Sequence, residues 1–579
     1  MSLSESVKIR LPSQDLDAPS AFRADPAALA HWLDQLPRAN LGQCAKALLQ
    51  AGSELNRVRL GAETRIALLE LLRPVILDVT GQLKRHYLNQ PIILPEPSWR
   101  AARLCGVLLD NLAAGYTLAG TALDSGNDRR GPLLAACLQR ALSVDGVNLL
   151  RYSQLYQPAP PGFWRDAHQL YQLANQHGIA QLRVEDRLDR ADSPTAAYLR
   201  LLLMGAAKTN QLRQSDMSAV YQELGEWSGL AVLSETPAPG ALFAFDADAD
   251  RPPSYQQLLT APQGASWRFL DTRTLANYVK QQQHPSVSGN LRAHLVLAWS
   301  QVSKRIFMRL ESTEALDLAL GLSTAHHFIG GEIDFGKLTG NDHDSPFIVE
   351  KENPFLRSKP VQETLKKDVW DSPYQPNYGL ARVSIESIDY HVRTHEPARS
   401  DADKPKFVRF PVTSVNASPG GYRLRWPPSR PAALRTGEII GLREPHHTAW
   451  CIAVIRWVRR LDGESVDIGV ELLSPSAVPY GARVVQRSGE VGEMHRVLVL
   501  PEVKLLCKPT TLITPHVGFR EGQKIDLVQR GSETRVQLTR KIAGTGSYSQ
   551  FEFRRLASIP SARSEPSNGD DFDAIWDIL

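Results

Sequence analysis

Two short patterns in this sequence set down residues able to hold an anionic, planar ligand. The first is Arg305-Ile-Phe-Met-Arg309. Two guanidinium forks four residues apart can clamp phosphate oxygens, pair bidentately with the O6 and N7 edge of guanine, and stack on purine faces. The same spacing recurs at Arg183/Arg187 and Arg456/Arg460, so on its own the pattern equally describes solvated charge. The second is Asn416-Ala-Ser418-Pro-Gly-Gly421, set between two stretches with strand patterning. These residue types favour a plain turn for local reasons. A tight strand-to-strand loop of this composition also lets backbone N–H groups approach a ligand, while the Asn and Ser side chains add hydrogen bonds. Its surroundings are basic: from Arg393 to Arg460 there are 13 Lys and Arg against 5 Asp and Glu. An anionic partner there fits that excess. The whole chain carries a formal charge of +4, too little to require nucleic acid.

Other polar clusters argue for less. His326 and His327 are adjacent, and on a strand they would point to opposite faces; one buried and one exposed histidine is the expectation, without a metal. Asn341-Asp-His-Asp344 reads as a solvated loop, and His446-His447 as part of a turn. His391 and His395 are spaced as HxxxH without the glutamate of a metalloprotease and outside a helical context. There is no P-loop, no GxGxxG after a strand, no GxSxG, and no GGDEF-like or EAL-like signature. No catalytic residue and no metal site is expected.

Positioning the two patterns requires a framework, and the chain supplies one in sections. Residues 20–235 read as a helical domain. Asp25-Pro26 is a start signal, followed by Leu29, Trp32, Leu33 and Leu36 at helical spacing. Segments at 40–58, 62–88, 96–121, 130–155, 161–178 and 194–230 continue the pattern, with Pro74 expected to kink or split the third. A Pro/Gly stretch at 236–240 marks a boundary. Residues 240–303 form a small mixed α/β region, with strands at 241–246 and 266–271 and helices near 272–283 and 289–303. From about 305, alternating runs such as those at 315–320, 407–411, 422–426 and 465–470 predict short strands of a small barrel. Asp462-Gly463 between two apolar runs signals a hairpin. Residues 330–403 break this texture and read as a loop-rich insertion; 486–557 read as a further small β unit.

The last section, 558–579, is a Ser/Pro-rich flexible linker followed by an acidic end. There Phe572, Ile575, Trp576 and Leu579 fall on one face of a short helix. Two descriptions fit: a frayed terminus, or a docking helix that lays these four side chains into the groove of an unidentified protein partner.

The composition is that of a globular protein. Of 579 residues, 42% are hydrophobic and 22% charged, which excludes a wholly disordered or fibrous chain. No run of 18 apolar residues is present, so no membrane span is expected. The first residues lack the apolar core of a secretory signal. Five scattered cysteines, without a CxxC, fit reduced thiols in a cytoplasmic protein.

Taken together, RxxxR and [D/N]xSxxG on one small barrel resemble the PilZ family of bacterial cyclic di-GMP receptors. The segments YRLRW, GEIIGLRE and CIAVIRWVRRLDGESVDIGVELL continue the likeness with that family's later strands. The resemblance covers roughly 300–329 and 404–485. Joined to the sections read above, it gives the expectation of a multidomain α+β protein: an all-helical N-terminal half, a small α/β middle region, and a C-terminal β half whose barrel (304–485, carrying the insertion) the resemblance implies to be PilZ-like, plus a further small β unit. It implies that Arg305 and Arg309 grip the phosphates and guanine edges of cyclic di-GMP, and that Asn416, Ser418 and Gly421 form the facing loop. It also implies outputs such as motility, pili or biofilm. The departure from the family pattern is the interval of 107 residues between Arg309 and Asn416, where the family has a couple of dozen. Insertion into a surface loop costs little closure entropy. A protein-interaction scaffold with a barrel that binds no ligand is the alternative.

Overall fold

The computed structural model describes residues 11–556, apart from 125–130, 238–239, 260–263, 265, 283, 302–309, 341–406, 428–433, 445–446, 462–464, 486–491 and 503–508. The chain forms two compact units, one dominated by residues 1–306 and the other by residues from 307 onward.

The first unit is a helical bundle with a small sheet. Its helices are α1 (Pro26–Asp34), α2 (Leu41–Arg57), α3 (Ala62–Leu83), α4 (Glu96–Asp124), α5 (Gly131–Gln154), α6 (Phe163–Gln176), α7 (Pro194–Ala206) and α8 (Gln214–Trp227). Asp25, Asn40 and Ser193 cap α1, α2 and α7 through their side-chain oxygens, and Pro26 and Pro194 open two of these helices. Two expectations change. Helix α3 is not split at Pro74 but continues through it. The residues around it are locked in the bundle, Arg73 by a 2.6 Å ion pair to Asp186 and Ile76 by burial. The segment 194–230 is two helices, because Lys208 takes a left-handed backbone (φ 51°) that ends α7. Among the described helices, α5 is long and apolar enough to cross a membrane, but 72% of that stretch is buried within the bundle.

Strands β1 (Val232–Ser234), β2 (Phe243–Asp246), β3 (Ser254–Tyr255) and β4 (Trp267–Asp271) form an antiparallel sheet in the order β1-β4-β2-β3, followed by α9 (Arg273–Gln281) and α10 (Gly289–Ser300). Helix α6 fastens this sheet to the bundle. Its buried His168 stacks on Phe245 at 4.8 Å and bonds the Tyr198 hydroxyl (2.7 Å) and the Arg251 carbonyl (3.0 Å).

The second unit holds β5 (Leu310–Glu311), β6 (Ala315–Leu320), α11 (Leu322–Ile329), α12 (Phe335–Thr339), β7 (Arg409–Ser418), β8 (Gly421–Trp426), β9 (Ile439–Arg443), β10 (Cys451–Arg460) and β11 (Val466–Ser474). These are followed by β12 (Val478–Val484), β13 (His495–Leu500), β14 (Thr511–Pro515), β15 (Lys524–Gln529), β16 (Ser532–Gly544) and β17 (Tyr548–Arg555). Strands β7-β6-β9-β10-β11-β8 close into a first barrel through the β7–β8 pairing, with β5 added alongside β7. Strands β12-β13-β14-β17-β16-β15 close into a second. The hydrophobic alternation expected of strands fills both interiors: Leu318, Leu424 and Trp426 in one, Ile525, Leu538 and Phe551 in the other.

Strand β12, placed with the first barrel from sequence, belongs to the second, where it pairs with β13 and β15. His326 and His327 lie on a helix, α11, rather than a strand. His326 is buried and bonds the Tyr480 carbonyl at 3.0 Å; His327 stacks on Phe407 at 4.2 Å. Helix α11 sits between the barrels: Ala325 and Phe328 share one core with Ile439, Trp450 and Ile452 of the first and Leu498, Ile513 and Tyr548 of the second.

Candidate functional site

Pro419 and Gly420 make the two-residue turn between β7 and β8, and Ser418 pairs with Gly421 across it. The Ser418 hydroxyl donates to the Gly421 carbonyl at 3.1 Å. Gly421 has φ 150°, and a Cβ there would stand 1.9 Å from the Val470 carbonyl oxygen. Only glycine lets β8 approach β11 this closely. A bulge between Ser414 and Asn416 shifts the register of β7. Ser414 is therefore buried opposite Leu424, while Asn416 stands opposite Arg423 on the outer face. The Asn416 Oδ1 atom is buried and, among the described residues, accepts no hydrogen bond. Leaving a buried acceptor empty costs about 1–3 kcal/mol, a cost removed by a ligand that brings a donor.

Arg305 and Arg309 lie outside the described residues. The chain is described again at Leu310, which pairs with Ala417, and Glu311 pairs with Asn416. The residue that follows Arg309 thus lies against the strand that carries Asn416, across the long interval in sequence. Strand β6 continues the same sheet on β7, from Ala315 opposite Thr413 to Ala319 opposite Arg409. The strand that returns after the insertion is therefore the immediate neighbour of the one that precedes it.

The outer face beside this hairpin is charged. On β8, Gly421, Arg423 and Arg425 face outward while Leu424 and Trp426 are buried inside. On β11, Gly469 stands opposite Arg423 and Asp467 opposite Arg425. The Asp467 side chain is wholly buried; it accepts from Arg423 Nε at 2.8 Å and from Arg425 Nε at 2.9 Å. Burial alone would push its pKa up, but the bonds from Arg425 and Arg423 outweigh that and hold it below the usual 3.8. A Cβ on Gly469 would fall 1.9 Å from Trp457 Nε1, so the indole lies directly over the strand. Much of the basic excess seen in the sequence is paired within the barrel: Arg443 meets Asp317 and Arg456 meets Glu471, each at 2.6 Å. Sequence reasoning passed over Arg423, Arg425 and Asp467. Their one visible signal is charge at alternate positions of YRLRW and an aspartate in the apolar run SVDIGV of β11.

The remaining expectations fall elsewhere. Phe572, Ile575, Trp576 and Leu579 lie outside the described residues, as do 341–344, His391, His395 and His446. His447 is exposed, 3.7 Å from Glu444.

Profiles of three domains match the chain in succession. "Cyclic-di-GMP receptor FimW, N-terminal domain" matches residues 27–238, "Cyclic-di-GMP receptor FimW, middle PilZ domain" 242–479, and "FimW C-terminal beta-barrel domain" 480–556. A relative from Pseudomonas aeruginosa, "Cyclic-di-GMP receptor FimW", is 34% identical over 623 residues, covering 100% of this chain and 99% of its own. The chain belongs to the FimW family. The kinship therefore extends through the helical half, beyond the C-terminal part to which the sequence resemblance was confined. The middle match ends and the C-terminal match begins inside β12. No solved structure matches the chain.

Proposed function

We propose that this protein is a non-catalytic receptor for cyclic di-GMP. The ligand lies on the outer face of the first barrel, between Arg305 and Arg309 and the hairpin of Asn416, Ser418 and Gly421. The observation that carries this reading is the β5–β7 register, which sets the residue after Arg309 opposite Ala417 despite the inserted segment. Consecutive Cα atoms are about 3.8 Å apart, so the end of the arginine pair is tethered beside the hairpin. The chemistry agrees: two guanidinium forks answer two phosphates and two guanines, and the Asn416 Oδ1 atom, which accepts no hydrogen bond among the described residues, answers a guanine N–H. The relative and two of the three matching domains carry the name of a cyclic di-GMP receptor. The Ser418 hydroxyl bonds a backbone carbonyl rather than a base, which suits a binding group and not a nucleophile.

A ligand shifts a protein only by binding one arrangement better than another. The output of this receptor is a changed contact with a protein partner in the cytoplasm, in the control of motility, pili or biofilm. Phe572, Ile575, Trp576 and Leu579 are the candidate contact.

The test is isothermal titration of cyclic di-GMP into the full-length protein and into Arg309→Ala. Two charge-assisted hydrogen bonds contribute about 3–5 kcal/mol together, so the variant loses roughly 100-fold or more in affinity. No binding by the unaltered protein would leave a protein-interaction scaffold with a silent barrel.

A further inference from the structure

We infer that Arg423 is a third arginine of the ligand site, contacting a phosphate of the ligand, and that the buried Asp467 is the positioning residue that aims it. This rests on the receptor reading above and names a further part of the same site.

Register places Arg423 there. It stands directly opposite Asn416, and residues so paired on one face have their Cβ atoms about 4.5–5.5 Å apart. The next outward pair along the hairpin is Ser418 and Gly421. A ligand resting on Asn416 and Ser418 therefore has Arg423 as its neighbour. On the other side of Asn416 stands Glu311, an exposed carboxylate that would repel an anion. A cation at Arg423 offsets it.

The grip on Arg423 fits a ligand contact. Asp467 engages one edge of the guanidinium, through Nε and Nη2. A guanidinium has five N–H donors, so the Nη1 edge stays available to a phosphate. Arg425 Nε bonds the same carboxylate, so two cations share one anion and the cluster keeps one positive charge. The carboxylate has no exposure of its own, so its charge is spent on these two arginines. Holding a flexible side chain in its binding pose before the ligand arrives lowers the entropic cost of binding.

The experiment is titration of cyclic di-GMP into the full-length protein at about 50 mM and 300 mM salt, conditions that span strong and weak screening. Variants are Arg423→Gln, Arg423→Lys and Asp467→Asn, with Arg535→Gln in the second barrel as control, and thermal unfolding reports the fold. Arg423→Gln weakens binding at least tenfold and flattens the salt dependence, since one cation facing the phosphate is gone. Arg423→Lys keeps the charge and the salt slope but does not restore affinity, because an ammonium cannot serve Asp467 and a phosphate in one plane. Asp467→Asn removes an anion, so it leaves the salt slope as steep or steeper, yet it weakens binding several-fold because Arg423 is no longer aimed; a merely structural role would lower stability and leave affinity alone. Arg535→Gln leaves affinity unchanged. Tight binding by the unaltered protein together with equal affinity and equal salt slope in folded Arg423→Gln or Arg423→Lys overturns the inference. Failure of the unaltered protein to bind overturns the receptor reading instead.

Discussion

The two barrels share a device and use it differently. Each is closed, six-stranded and antiparallel, and each buries an aspartate beneath arginines on its outer face. In the second barrel Asp526, 3% exposed, bonds Arg535 at 2.7 Å and lies 3.8 Å from Arg483. Arg483 also meets Glu533 at 2.9 Å, so two cations face two anions. In the first barrel, among the described residues, Asp467 is the one carboxylate within ion-pair distance of Arg423 and Arg425, and a cation is left over. The hairpins differ as well. Gly531 follows Arg530 in the β15–β16 turn, both with positive φ, and a Cβ on Gly531 would meet open space. Gly421 is pressed against the Val470 carbonyl. On the proposed reading, the balanced cluster serves the fold, whereas the unbalanced cluster, beside a compressed glycine and an Asn416 oxygen that accepts no hydrogen bond among the described residues, serves a ligand.

The largest effect expected from breaking this contrast is at the glycines. Gly421→Ala forces a side chain into a backbone carbonyl at an unfavourable φ, costs about 3–4 kcal/mol of stability, and abolishes cyclic di-GMP binding. Gly531→Ala costs about 1 kcal/mol through its positive φ alone and leaves binding intact. Thermal unfolding and titration of both variants check the pair; equal loss of binding would erase the distinction.

Next come the aspartates. Asp467→Asn and Asp526→Asn each strand partly exposed arginines, at a cost of about 2–3 kcal/mol after allowance for solvent screening, yet only the first weakens ligand binding. Asp526, like Asp467, is pushed up by burial and held below 3.8 by its arginines, Arg535 foremost. A carboxyl with a depressed folded pKa gives stability that is present above its unfolded value and lost as pH falls through the folded one. Both barrels should therefore keep this contribution down to about pH 4 and lose it below.

His168 makes the helical unit behave otherwise. Burial drives its pKa from 6.5 down to about 4, against weaker pulls upward from the Arg251 carbonyl and Asp250. The neutral ring is the folded form, so its contribution is complete above pH 6.5 and drains away toward pH 4. At pH 5 the loss amounts to about 2 kcal/mol. Hydrogen exchange followed across this range should find the α6–β2 junction opening before either barrel. Simultaneous opening would contradict it.

What could be read in the sequence, and what could not, follows from range. The hairpin of Asn416, Ser418 and Gly421 was legible because turn residues between alternating strands act locally. The neighbouring β10 and β11, flanking Asp462-Gly463, were legible for the same reason, and they adjoin in the sheet. Strand β12 was misplaced because its pairing partners, β13 and β15, lie further along the chain. Helix α11 was missed as a helix: eight residues with two adjacent histidines have no clear period, and its burial between two barrels decides its form. Asp467 looked like any acid in a strand until register set it against Arg425. The helical half holds no short motif, so its kinship emerged only from whole-chain similarity.

The smallest effect concerns the segment between α12 and β7. Phe335, before it, and Phe407, after it, both pack on the Arg496 guanidinium of β13, at 4.3 Å and 5.5 Å from their ring centroids. The two stems therefore end beside each other on the second barrel, and a Gly/Ser linker of about 20 residues, with a root-mean-square span of roughly 25 Å, bridges them with ease. Exchanging residues 341–406 for such a linker shortens the loop about threefold and lowers its closure cost by about 1 kcal/mol. The β5–β7 and β6–β7 registers stay in place, so cyclic di-GMP affinity should stay within about twofold of the unaltered protein, a change under 0.5 kcal/mol. The titration that checks this also decides where the difference between the barrels resides. Retained affinity assigns it to the outer face built by β5, β7, β8 and β11. Lost affinity in a folded variant would move it into the inserted segment and leave the two aspartate clusters as structural equivalents.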